Sequence, residues 1–256
     1  MRFVFGVGRL GTDDGVEMST PLSGRIIAVT GAVGGIGTAT CRRLRDDGAT
    51  VFALDLRPED GEFGLTCDVS DPGSVEEAIR TVVDRAGRID GVVAGAGIVE
   101  DDVPAEEMSP DEFARVIGVN LCGVFHTLTA AGRKMLEQRS GTCVAISSMS
   151  GNHVVNTPQK QCAYNASKAG VSALVRSLAA EWAARGVRVN AVAPGYIETE
   201  LLAKKGHQFA GWLAHTPQGR MGSPDDVAAA ISFLMQDESG YFCGSELLMD
   251  GGHTLI

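Results

Sequence analysis

The chain has 256 residues, 44% of them apolar and 21% charged, with a net charge of −10 and a sequence pI near 5.0. That size suits one large α/β domain with a full core. The acidic balance argues against a general affinity for nucleic acid or an anionic membrane, because both would repel the surface, so small molecules are the expected partners.

Six cysteines and five histidines form no C-x-x-C pair and no cluster. Neither a metal site nor a disulfide framework is expected, and a reducing cytoplasm fits best. No apolar run approaches the roughly twenty residues needed to span a bilayer, and "MRFVFGVGRL" lacks the features of a secretory signal.

The first glycine pattern in the chain, "FGVGRLG" at residues 5–11, fits G-x-G-x-x-G letter for letter. It is followed by "TDDGVEMSTPLSG", which offers no helix to receive an anion, so it is read as accidental. Residues 1–21 are taken as an N-terminal extension, with Met18 as an alternative start, and residues 22–256 as a single domain. The second pattern, "TGAVGGIG" at residues 30–37, follows the apolar run "RIIAVT" and precedes "IGTATCRRLRDDG", where Ile36, Thr40 and Leu44 recur at helical spacing and Gly48 ends the helix.

Strand, glycine turn and helix together form a phosphate site, because the helix N-terminus supplies free amides and a positive dipole end. Gly31 permits the tight turn, Gly35 lets the backbone approach the phosphates and Gly37 lets helix and strand pack closely, with Val33 and Ile36 completing the loop. The next strand, "TVFALDLR", ends at Asp55, followed by Leu56. A carboxylate there can accept from both hydroxyls of an adenosine ribose and would repel a 2′-phosphate, so NAD is favoured over NADP; Arg57 is the residue that blurs the preference.

Further strand-like runs follow at "EFGLTCDV", "IDGVVAGAG", "GTCVAISS", "VRVNAVAPG" and "SELLMDGG". Well-marked helices alternate with them, opening at Pro72, at Ser109-Pro110 and at Ser223-Pro224, the last two as capping boxes. Seven apolar strands separated by helices predict a Rossmann-type doubly wound parallel sheet with helices on both faces. In "YNASK", Tyr164 and Lys168 stand four residues apart, hence on one helix face with both heads able to reach one point.

The ordered set "TGAVGGIG", Asp68-Val69, "AGAG" at 94–97, Val119-Asn120, "ISS" ending at Ser148, "YNASK" and "PGYIET" at 194–199 resembles the short-chain dehydrogenase/reductase family, from about Leu22 to the end. The resemblance implies catalytic Asn120, Ser148, Tyr164 and Lys168. It places Asp68 and Val69 near the adenine, Ala94, Gly95 and Ala96 along the cofactor, and Pro194, Gly195, Ile197 and Thr199 near the nicotinamide. It also implies a homotetramer. The chemistry agrees: a free phenol with a pKa of about 10 needs a neighbouring cation to act as a base at neutral pH, and Lys168 and an oxidised nicotinamide both supply one. Lys168 is also expected on the nicotinamide ribose, Ser148 as a positioning hydrogen-bond partner, and Asn120 either as a water holder or as a helix residue bonding a carbonyl.

Two features depart from the family pattern. "AGAG" replaces Asn-Asn-Ala-Gly, removing amides that would brace the central strands, and the serine-to-tyrosine interval is lengthened by "MSGNHVVNTPQKQCA". That insert resembles the polyol and sugar dehydrogenase branch of the family, with galactitol dehydrogenase and the sorbose and xylulose reductases. Ser150, His153, Asn156, Gln159 and Gln161 could present hydrogen-bond groups to a polyhydroxylated substrate, or could form a polar surface loop. The long segment around 199–220 reads as a substrate lid, with Leu201, Phe209, Trp212 and Leu213 closing over the pocket or packing on a neighbouring subunit. The expected activity is the NAD-dependent interconversion of a secondary alcohol, a polyol or sugar among the candidates, and its ketone. Reduction of 3-oxoacyl thioesters or steroid ketones, and a non-catalytic dinucleotide sensor, are the alternatives.

Overall fold

The computed structural model describes residues 20–155, 159–203 and 206–256. The first glycine pattern, Met18 and Asn156 lie outside them. Seven strands, β1 (Ile26–Thr30), β2 (Thr50–Asp55), β3 (Gly64–Thr66), β4 (Gly91–Ala94), β5 (Gly141–Ile146), β6 (Val187–Pro194) and β7 (Glu246–Met249), form one parallel sheet in the order β3-β2-β1-β4-β5-β6-β7. Strand order reverses between β1 and β4, so a crevice opens there beyond the carboxyl ends of the strands. Thr30 is in register with both Leu54 and Ala94, and Ile146 with Val192, which brings those ends level around the crevice.

The central strands are buried along nearly their whole length, as expected where helices cover both faces. One core packs α2 (Pro72–Ala86), α4 (Gly123–Gln138) and α6 (Cys162–Trp182) on the sheet through residues such as Phe52, Ile79, Leu128 and Val175. The other packs α1 (Gly35–Asp46) and α9 (Pro224–Met235) through Ile27, Leu44, Ile231 and Leu234. Cutting one of these side chains back to alanine would cost about 2–5 kcal/mol. A third, small cluster of Met149, Val155, Tyr196, Trp212 and Met221 sits apart from both.

The predicted helix starts hold, with one difference. Ser223 and Asp226 form the reciprocal capping box of α9, and Asp71 caps α2. At α3 (Pro110–Ile117) Ser109 accepts from the Glu112 amide, but the Glu112 carboxylate is taken by Arg115, so only half the box forms. The chain then continues through a π turn (Gly118–Cys122) straight into α4. The resulting helix of 29 residues is long and apolar enough to cross a membrane by length and composition, which counting uninterrupted apolar runs did not anticipate. Its apolar face, with Val116, Val124, Leu128, Ala131 and Met135, is buried.

The excursion predicted at 199–220 contains α7 (Glu200–Ala203), a short turn (Gly206–Gln208) and α8 (Phe209–Ala214). It leaves and rejoins the body at one neck, where Ile197 bridges Gly222, Glu198 N donates to Gly222 O at 2.8 Å and Gly222 N donates to Tyr196 O at 2.9 Å.

Candidate active site

The glycine loop is dictated by space. Gly31 has φ +71°, and a Cβ on it would lie 2.7 Å from the Ala96 backbone. A Cβ on Gly37 would lie 2.0 Å from Gly31 O, so α1 can start this close to β1 only without a side chain there. The N-cap of α1, Gly34, makes no side-chain cap, and no acidic residue sits in the first turn. The free amides therefore face an open cleft, the arrangement that suits a pyrophosphate.

That cleft, of about 780 Å³, is lined by Gly31, Val33, Gly35, Ile36, Gly37, Gly95, Tyr164, Lys168 and Thr199 from the expected set, with Arg42 and Gly97 added. Its size lies within the usual range for cofactor sites of roughly 300–1,000 Å³. Asp55, at the end of β2, accepts from Val33 N at 3.3 Å and from Arg57 N at 3.4 Å, which puts its carboxylate beside the loop. Leu56 next to it is exposed.

Other expected cofactor residues are placed differently. The Asp68 carboxylate turns back to Ser70, and the Val69 and Ala94 side chains are committed to the core, leaving only backbone to a ligand. The bracing lost with "AGAG" is partly replaced by the Thr30 hydroxyl, which accepts from Gly95 N at 3.2 Å and donates to Val93 O at 3.4 Å.

Asn120, Ser148, Tyr164 and Lys168 lie together where the cleft ends. Tyr164 and Ser148 both line this point, and Ser148 Oγ accepts from Ser150 N at 3.1 Å. Lys168 Nζ stands 5.6 Å from the centre of the Tyr164 ring and donates to Ile146 O at 2.7 Å. Burial pushes Lys168 down to about 8; it pushes the Tyr164 phenol up, with the neighbouring Ser148 hydroxyl opposing the rise and the Glu100 carboxylate adding to it.

Asn120 sits on the π turn, fully buried. Its amide donates to Ile98 O at 2.8 Å and Ser167 Oγ at 3.1 Å, and its oxygen accepts from Ile98 N at 2.8 Å. It thus ties the loop after β4 to α6. Glu100 in that loop was not singled out from the sequence, since nothing in "GIVEDDV" marks one carboxylate as buried. It accepts from the amides of Ala163 and Tyr164.

Beyond Tyr164 lies a second cavity of about 150 Å³, sharing Ile36, Val99, Ile146, Tyr164 and Thr199 with the cleft. Ser150, Gln161, Trp212, Pro194, Gly195 and Ile197 line it, whereas His153 is exposed and does not. Gln159 and Tyr196 complete the far wall. Gln159 Nε2 donates to the Tyr196 hydroxyl at 2.9 Å, Trp212 Nε1 donates to Gln159 Oε1 at 3.3 Å, and the Tyr196 and Trp212 rings stack at 4.1 Å. α5 (Met149–Asn152), the insert, the loop after β6 and the 199–220 excursion all contribute. The described lining holds no acidic, basic or imidazole side chain. Among the described residues, no three His, Cys, Asp or Glu side chains group to hold a metal ion.

Known proteins resemble this chain along most of its length. A family model described as enoyl-(acyl carrier protein) reductase matches residues 31–254. Galactitol 2-dehydrogenase of Rhizobium johnstonii is 37% identical over 248 residues, covering 91% of this chain and 96% of that protein. The 3-oxoacyl-acyl-carrier-protein reductase FabG of Thermotoga maritima is 39% identical over 247 residues, covering 90% and 98%. Among solved structures, a short-chain type dehydrogenase/reductase from Mycobacterium marinum superposes with a TM-score of 0.89 at 34% identity, covering 93% of this chain and 98% of that one. The family implies a nicotinamide dinucleotide cofactor, for which the uncapped helix and the glycine cradle are suited. The chain belongs to the short-chain dehydrogenase/reductase family, resembles its polyol dehydrogenase branch, and is an oxidoreductase acting on CH–OH groups.

Proposed function

We propose that this enzyme uses NAD to interconvert a neutral secondary alcohol, of polyol or sugar type, and its ketone, with Tyr164 as general acid and base. One observation carries the reading: Tyr164, sharing the cavity wall with Ser148 and with Lys168 beside its ring, stands where the open cleft meets a cavity whose described lining is uncharged.

Bound in the cleft, the dinucleotide supplies a hydride acceptor or donor. The α1 amides would hold its pyrophosphate, Asp55 its adenosine ribose and Lys168 its other ribose. Ser148 holds the substrate oxygen beside the phenol. During oxidation Tyr164 takes the hydroxyl proton, and the ammonium of Lys168 favours the phenolate this requires; during reduction Tyr164 returns the proton to the new alkoxide oxygen. Gln159, Gln161, Ser150 and the Tyr196 hydroxyl offer neutral hydrogen-bond groups for the remaining hydroxyls, and Trp212, on the segment that acts as the lid, shields the cavity from water.

Asp55 supports NAD over NADP, since its carboxylate borders the loop where a 2′-phosphate would lie. The family resemblance carries the further expectation of a homotetramer, and the cysteine usage that of a reducing cytoplasm. A panel of polyols, simple secondary alcohols and hydroxyacyl thioesters, each with NAD⁺ and NADP⁺, tests the whole reading. Turnover of polyols with NAD⁺ supports it, and comparable rates with NADP⁺ overturn the cofactor assignment. A second reading, reduction of a 3-oxoacyl thioester, is favoured by the similarity to FabG and by the apolar Val99, Met149 and Leu202 in the cavity wall. Preferential turnover of the thioester would select it.

A further inference from the structure

We propose that Glu100 is a positioning residue: its carboxylate, held in the loop after β4, grips the first turn of α6 and sets both the seat and the electrostatic surroundings of Tyr164. The proposal rests on the reading of Tyr164 as the acid and base.

A helix leaves its first amides without partners, and a side chain at the N-cap normally answers them. The N-cap of α6 is Gln161, whose side chain makes no such bond. Glu100 answers from more than sixty residues away. Its Oε1 accepts from Ala163 N at 2.9 Å and Tyr164 N at 3.1 Å, and its Oε2 accepts from Tyr164 N at 3.1 Å. The residue is 3% exposed, so these amides and the positive end of α6 replace the water that a buried carboxylate would otherwise lack.

The grip is extended and anchored at both ends. Two residues on, Asp102 Oδ1 accepts from Lys160 N at 2.7 Å, fastening the last stretch of the insert to the same loop. Two residues back, Asn120 clamps both the N–H and the C=O of Ile98. Val99, between the clamp and the grip, lines the substrate cavity. A displacement of this loop would therefore move the phenol, the cavity wall and the insert together.

The charge has a second effect. Of the charged groups, Lys168 on α6 stands beside the phenol ring and Glu100 acts on the phenol, while Asp101 and Arg115 on α3 face Glu100 from its outer side; α5 carries no charged residue. Glu100 opposes Lys168 and favours the protonated phenol, the form that donates a proton in carbonyl reduction.

The test compares Glu100→Gln, which keeps an acceptor but loses the charge, with Glu100→Ala. The chain has three tyrosines, so ultraviolet titration of each protein against its Tyr164→Phe counterpart isolates the ionisation of Tyr164. In Glu100→Gln that ionisation is expected to fall by roughly half a unit to one unit, and the pH profile of alcohol oxidation by the fastest substrate of the panel to move the same way. Glu100→Ala is expected to lose about tenfold in kcat through misplacement of the phenol while its Kd for NAD⁺ stays within about twofold. An unmoved Tyr164 titration in Glu100→Gln, or loss of NAD⁺ binding in step with kcat in both variants, would overturn the proposal. Full turnover by Tyr164→Phe would instead remove the functional reading, while the titration still judges the contact.

Discussion

The two ends of the crevice are built by different means. At the cofactor end the surface is mostly backbone: Gly31, Gly35 and Gly37 bring the chain close, the α1 amides are left free, and strand ends in register supply the rest. At the substrate end the surface is mostly side chain, with Gln159, Tyr196 and Trp212 arriving from the insert, the loop after β6 and the 199–220 excursion and holding one another by hydrogen bonds and a ring stack. A backbone cradle tolerates almost no change at its glycines and asks little of its neighbours. A side-chain wall can be rebuilt residue by residue, so the substrate can change while the cofactor end stays.

The sharpest division between the two ends is expected at their boundary. Tyr164→Phe should lower kcat by about 10²–10⁴-fold while calorimetry finds its Kd for NAD⁺ nearly unchanged. At the cofactor end, Gly37→Ala forces a methyl against Gly31 O. It should destabilise the fold by about 1–3 kcal/mol in denaturant melts and abolish measurable dinucleotide binding. Asp55→Asn removes a charged acceptor worth about 1.5–3 kcal/mol, so the preference for NAD⁺ over NADP⁺ in kcat/KM should fall by at least about tenfold. At the substrate end, Gln159→Leu should raise KM for polyols by roughly tenfold and leave the Kd for NAD⁺ unchanged; a joint change would mean the two ends are not independent.

The smallest effect concerns stability. Lys168 keeps its proton to about 10.5 when unfolded and releases it near 8 in the fold. Between those values the unfolded chain binds more protons, so stability rises with pH across that window. Lys168→Met should flatten the slope in melts of the ligand-free protein.

The backbone end was the more legible in the sequence. Glycine spacing, strand runs and the Tyr164–Lys168 interval are local signals, and local geometry follows from them; the sheet, its order of helices and the loop around Gly31 stand as expected. What depends on distant partners was not legible. Glu100 looks like any loop carboxylate until α6 is seen to begin beside it. His153 and Gln161 look equivalent in the insert, yet one is exposed and the other buried, its amide held by Ser150, Val155 and Asn165, partners that no spacing rule names. The Glu112 half-box and the fusion of α3 with α4 fall in the same class: Arg115 competes for the carboxylate, and the π turn lets the helix continue.

The π turn at Gly118–Cys122 also constrains how this chain can vary. A wide turn accommodates one residue more than an ordinary helical turn while keeping the faces on either side of it in register, so deleting a single residue there would regularise the helix and remove the bulge that carries Asn120. Asn120 would swing out of reach of Ile98, and the clamp on the loop bearing Glu100 would open. Length, rather than chemistry, is the quantity that cannot drift at this position: substitutions can be absorbed around the turn, while a one-codon loss would unseat parts of the crevice it never touches.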